Sequence, residues 1–260
     1  MRYATTTAVC ALSLALAAGC AHHHQRAANA QPNTPQRDQS VARVDSASIV
    51  AHVALSDADK ARAQAELGVA FPVYDRPAST LTWDEVASEL IAMRAPAIAQ
   101  YRRTAPESER DPIVHEYVMS IDRAHIARLR EIVSAKGWPG PEQVGARAAS
   151  AAILATQYAG EDLDFLEDAI GYMTPMVEAG VLHGGYVAVL TDRLRVYRGQ
   201  PQLYGTQMRV SPDAYGLPII LPATPIEDPE HLDARRESVG LPPHASFKTE
   251  IAQAYASADH

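Results

Sequence analysis

The chain has almost no cysteine. Only Cys10 and Cys20 occur in 260 residues, so the rest of the chain can form no disulfide and supplies no cysteine nucleophile. Also missing are HExxH, GxSxG, a phosphate-binding glycine loop and a dinucleotide fingerprint, which argues against familiar zinc proteases, serine hydrolases and nucleotide-dependent enzymes. Excess positive charge is absent as well: 23 Lys and Arg face 31 Asp and Glu, for a net charge of -8. A nucleic-acid partner is therefore not expected. Nothing in the sequence implies a cofactor. Aromatic residues are scarce at 6%, yet hydrophobic residues make up 47%, enough for a core in a chain of this length.

Long apolar runs are lacking too. The longest, from about Ala8 to Ala18, falls short of the roughly 20 residues that span a bilayer. It follows Arg2 and ends in small residues before Cys20, the layout of a cleaved secretory signal over residues 1–19. "LAAGC" resembles the lipobox of bacterial lipoproteins, which implies lipidation of Cys20 and a membrane anchor through that residue. Ala21 stands where an aspartate would typically retain such a protein at the inner membrane, so the outer membrane facing the periplasm is favoured. Residues 20–47 are poor in large apolar side chains and read as a flexible tether. His22, His23 and His24 on that tether have no preformed geometry for a metal, and no metal site is expected.

Residues 48–260 read as one mainly α domain with a small β-hairpin in the C-terminal third. Helices are expected from Ser56 to Leu67, from Thr82 with Glu85 as a capping box, from Asp111 to Lys136 with Pro112 at the first helical position, and from about Pro141 to Ala159. Pro96 predicts a kink or a junction between two helices. Further helices are expected over "EDLDFLEDAIGYMTPMVEAG" and "GGYVAVLTDRLRVYRG", the last six residues of which also fit a strand. "QLYGTQMRV" and "LPIILP" flank the turn-rich "SPDAYG" and read as a hairpin, with Gln202, Tyr204 and Thr206 on one strand face and Leu203, Gly205 and Gln207 on the other. Two short helices close the chain, near Asp228–Ser238 and Ser246–Ala256.

Several polar residues sit where a core would not choose them. Asp122 and His125 are three apart on the 111–136 helix and share a face. As partners they would form a general acid–base pair, whereas alone on the apolar stripe His125 reads as a hydrogen-bonded core residue. Asp192 and Arg193 read either as an exposed ion pair or as a recognition fork for a carboxylate or phosphate. Arg235 and Arg236 fit a solvated helix face.

"GWP" at 137–139 with Gly145, "TQYA" at 156–159, "DR" at 192–193, "QLYGTQ" at 202–207 and "RRESVGL" at 235–241 together resemble a bacterial family of unknown function marked by a YGTQ motif. The resemblance covers roughly residues 115–250. It implies a helical domain whose motif residues gather at one place, and it carries no activity with it. Where the family's pattern commonly has histidine, this chain has Tyr158.

Three readings follow. The first is a cell-envelope module that binds a small molecule or peptide in a pocket of Asp122, Gln157, Asp192, Arg193, Gln202, Tyr204, Gln207 and Arg236. The second is a hydrolase or lyase using Asp122 and His125, with Arg193 or Arg236 stabilising negative charge. The third is a structural envelope protein whose motifs define its fold.

Overall fold

A computed structural model describes residues 54–104, 110–160, 162–212 and 218–256. The expected signal, tether, Cys20 and histidine run lie outside the described residues. Helix α1 (Asp57–Leu67) begins at the Ser56/Asp59 capping box and stops at Gly68, whose φ of 64° is left-handed. An extended segment and a short 3-10 turn (Ala78–Thr80) lead to α2 (Trp83–Ala92), capped by the Thr82/Glu85 box. The chain breaks ahead of Pro96, which starts α3 (Pro96–Thr104): the proline marks a junction between two helices.

Helix α4 (Pro112–Lys136) is the longest element. The Asp111 carboxylate accepts the free N–H groups of Ile113 and Val114, and Gly137 ends the helix. Its buried stripe of Val114, Val118, Ile121, Leu129 and Ile132 recurs at helical spacing and divides between two apolar clusters. Helix α5 (Pro141–Thr156) is interrupted at Gly145, and α6 (Leu163–Glu178) and α7 (Gly184–Tyr197) follow. The strand alternative for the end of α7 is thereby ruled out. Helix α2 packs on α5, α6 on α7, and α1 on α4. The main core lies among α2, α4, α5, α6 and α7 and takes in Trp138 of the GWP segment. Among the described residues no helix is long and apolar enough to cross a membrane.

After α7 the chain differs from its expected form. Strands β1 (Met208–Pro212) and β2 (Pro218–Pro222) do pair antiparallel, with Val210 opposite Ile220. The hairpin starts six residues later than "QLYGTQ" suggested, because that segment is not a strand. It is a loop folded around a side chain of α7. A 3-10 turn (Pro229–His231), α8 (Leu232–Ser238) and α9 (His244–Ala256) complete the fold, with α9 against both α8 and β2. Ala188, Val189, Met208, Leu241, Phe247 and Ile251 form a second core here.

Candidate functional site

The loop 202–207 is organised by one carboxylate. Asp192 on α7 is fully buried. Its Oδ1 accepts the backbone N–H groups of Leu203 at 2.7 Å and Tyr204 at 3.0 Å, and its Oδ2 accepts the N–H of Thr206 at 2.8 Å and the Thr206 hydroxyl at 2.9 Å. Burial pushes the Asp192 carboxyl up from its ordinary range, while these donors pull it back down. A strand pairs its backbone with another strand. This segment instead turns its amides inward onto a side chain, which is why its alternating pattern misleads.

The rest of the loop closes on itself. Gln202 donates to the Gln207 and Thr224 carbonyls through Nε2 and accepts the Gln207 N–H at 2.8 Å. The Gln207 amide donates to the Val189 carbonyl and the Thr206 hydroxyl. Gly205 has φ 60°, and a Cβ there would lie 3.0 Å from both His244 Nε2 and Ile226 Cδ1, so the position takes glycine on two counts.

Helix α8 holds the loop from its other side. Arg236, also fully buried, donates to the Pro242 and Tyr204 carbonyls, each at 2.6 Å, and stacks over Phe247. Burial lowers the pKa of its guanidinium from the ordinary value. Arg235 donates to the Leu203 carbonyl at 2.9 Å and to the Glu227 and Asp228 carbonyls, so the two arginines are clamps and not a solvated face. Tyr204 hydrogen-bonds through its backbone alone among the described residues, while its ring packs on the second core. Asp192, Gln202, Gln207 and Arg236 thus come together, and their polar groups are spent chiefly on one another and on the loop's backbone.

Arg193 and Gln157 behave differently. Arg193 is only 9% exposed, and its buried Nε has no hydrogen-bond partner among the described residues. Gln157, at the end of α5, is 7% exposed, and its side-chain amide likewise has no partner among the described residues. The segment after α5 meets α7 at one point. A Cβ on Gly160, three residues after Gln157, would collide with the hydroxyl of Tyr197, one helical turn beyond Arg193 on the same face of α7.

A third group lines α4 at a spacing of three: Asp122, His125, Arg128 and Glu131. Asp122 forms an ion pair with Arg102 of α3, whose guanidinium stacks 3.7 Å above the Tyr158 ring. His125 Nδ1 lies 2.7 Å from the Tyr74 hydroxyl. Arg128 pairs with both carboxylate oxygens of Glu89, at 2.7 and 2.9 Å, and with Glu131, which in turn accepts the Ala78 N–H. Burial, together with the Arg102 charge, holds the His125 imidazole down to about 4. The Asp122 carboxylate that was expected to raise the basicity of His125 is committed to Arg102. A shallow depression lined by Ala61, Gln64, Ala65, Gly68 and Ala70 contains none of these residues.

A family model described as a family of unknown function (DUF6624) matches residues 84–258. The chain belongs to that family. No curated protein and no solved structure matches it. The DUF6624 span takes in the GWP, TQYA, DR, QLYGTQ and RRESVGL segments, and with them the Asp192 network, Arg193, Gln157 and most of the α4 seam.

Sequence reasoning missed Tyr74, Glu89, Arg102 and Arg128. Arg128 and Glu131 continue the three-residue spacing of Asp122 and His125, so a longer polar stripe on α4 was readable. Tyr74 lies 51 residues from His125, and nothing in its local pattern points there.

Proposed function

We propose that the chain is a cell-envelope binding module that takes a small molecule or peptide through a carboxylate or phosphate, with Arg193 as the anchor and Gln157 as a further polar contact. The observation that carries this reading is Arg193, a residue only 9% exposed whose buried Nε has no hydrogen-bond partner and which forms no ion pair among the described residues. A buried charge without a counter-charge costs several kcal/mol. An anionic ligand supplies the missing partner, and the planar fork of arginine suits bidentate contact with carboxylate or phosphate. Asp192, Gln202, Gln207 and Arg236 then serve as the frame that holds α7 and the loop in place. The pairing of Asp122 with Arg102 and the low basicity of His125 support binding over acid–base catalysis. The lipobox-like "LAAGC" supports an anchor at Cys20, facing the periplasm from the outer membrane.

A thermal-shift and calorimetric screen of inorganic phosphate, acetate and carboxylate-bearing peptidoglycan peptides tests the site. At least one class should raise the melting temperature of the wild type, and Arg193→Ala should abolish that response while remaining folded. Equal ligand response in Arg193→Ala, or none in the wild type, overturns the reading. Labelling with radioactive palmitate, present in the wild type and lost in Cys20→Ala, tests the anchor.

A further inference from the structure

The hydrogen bond between Tyr74 and His125 is not used by the anion site. Tyr74 comes from the extended segment ahead of the Ala78 turn, and its ring meets the half-buried imidazole edge-on, with centroids 6.3 Å apart. Apart from His125 Nδ1, the Tyr74 hydroxyl has no hydrogen-bond partner among the described residues. Burial keeps this phenol protonated well above the usual tyrosine range. Its proton therefore has one acceptor within reach, Nδ1. Were the bond reversed, the phenolic O–H would have nothing to donate to. Donation into Nδ1 places the ring proton on Nε2, which has no protein partner among the described residues.

The surroundings set what such a donor suits. From α3 comes Arg102, whose charge is offset by Asp122, one turn before His125. Over the Tyr74 ring, 5.1 Å from its centroid, lies Arg128, matched by Glu89 of α2 and by Glu131. Tyr158 covers Arg102. A neutral N–H among paired charges is complementary to a neutral oxygen acceptor, in contrast to the uncompensated Arg193.

We propose that Tyr74 and His125 form a second recognition point, at which His125 Nε2–H donates to an amide or ester carbonyl oxygen and Tyr74 is the positioning residue that fixes the tautomer. This point does not depend on the Arg193 site.

Long-range proton–nitrogen spectra of the histidine rings in the full chain test it without any ligand. His125 should carry its proton on Nε2 and stay neutral from about pH 8 to about pH 5.5. In Tyr74→Phe both tautomers should appear. A proton on Nδ1, or a wild-type titration midpoint at the ordinary 6.5 or so, overturns the proposal. Added N-acetylalaninamide, which has peptide carbonyls and no charge, should shift the Nε2 resonance saturably, and about three- to tenfold more weakly in Tyr74→Phe. Acetate should leave the resonance in place. Absence of a saturable shift with the amide, or an equal one with acetate, overturns the assigned ligand class. Failure of the Arg193 site would appear only in the calorimetry.

Discussion

Asp192 and Arg193 are neighbours on one helix, and the fold treats them in opposite ways. Asp192 is buried with three backbone N–H groups and a hydroxyl on its carboxylate. Arg193 is buried, and its Nε has no acceptor among the described residues. Polar burial in a folded protein is normally compensated, so the two departures from solvent have different meanings. One is a structural joint between α7 and the 202–207 loop, and the other is a group held ready for something else. The two should therefore respond to substitution with opposite signs.

The largest effect is expected at the joint. Asp192→Ala leaves several inward-facing donors without an acceptor at once, and a loss of about 3–5 kcal/mol is expected in urea denaturation. A loss below about 1 kcal/mol would show that water reaches the loop amides, and the contrast with Arg193 would collapse.

The α4 seam tests the same contrast through pH. His125 is held at about 4 in the folded chain, against about 6.5 unfolded. Between those values the unfolded chain binds the extra proton, so stability falls as the pH drops from about 6.5 toward about 4, by at most roughly 1.4 kcal/mol per unit. His125→Phe should flatten this slope. A part should remain, because burial also lowers the pKa of His244. Carboxylates act in a separate window. Asp111 and Glu85 are each held down to about 2 by arginine and backbone contacts, so their contributions disappear only as the pH falls below about 4.5. An unchanged slope in His125→Phe would mean that the ring is not shielded as its contact with Tyr74 and the nearby Arg102 charge require.

Arg193→Met should go the other way. Removing an uncompensated buried charge while keeping much of its volume should leave the ligand-free protein as stable or about 1 kcal/mol more stable. Destabilisation beyond about 1 kcal/mol would place Arg193 with Asp192 as a structural residue.

Much of the helical architecture was legible because its signals are local. The Thr82/Glu85 box, Asp111 with Pro112, and Gly137 each act within one helical turn of the boundary they set. The 202–207 loop was misread for the complementary reason. Its alternation of polar and apolar residues satisfies a strand pattern, but its backbone partner is a carboxylate more than ten residues earlier in the chain. Arg235 and Arg236 were equally ambiguous, since an arginine that donates to distant carbonyls looks in sequence like one on a solvated face. The residues that gather around Asp192 were nearly all nameable in advance. Which of them would be spent and which left free depended on contacts between segments.

The smallest expected effects separate spent from free most finely, because they involve two uncharged side chains of similar burial. The Thr206 hydroxyl donates to Asp192 and accepts from Gln207. Thr206→Val keeps the shape and should cost about 1 kcal/mol, the usual net value of such a bond plus part of the loss to its former partners. Gln157 is comparably hidden, yet its amide makes no hydrogen bond among the described residues, so Gln157→Ala should cost about 0.5 kcal/mol or less. Urea midpoints measured side by side give the comparison directly. If Gln157→Ala cost as much as Thr206→Val, Gln157 would belong to the frame, and Arg193 alone would be left to hold a ligand.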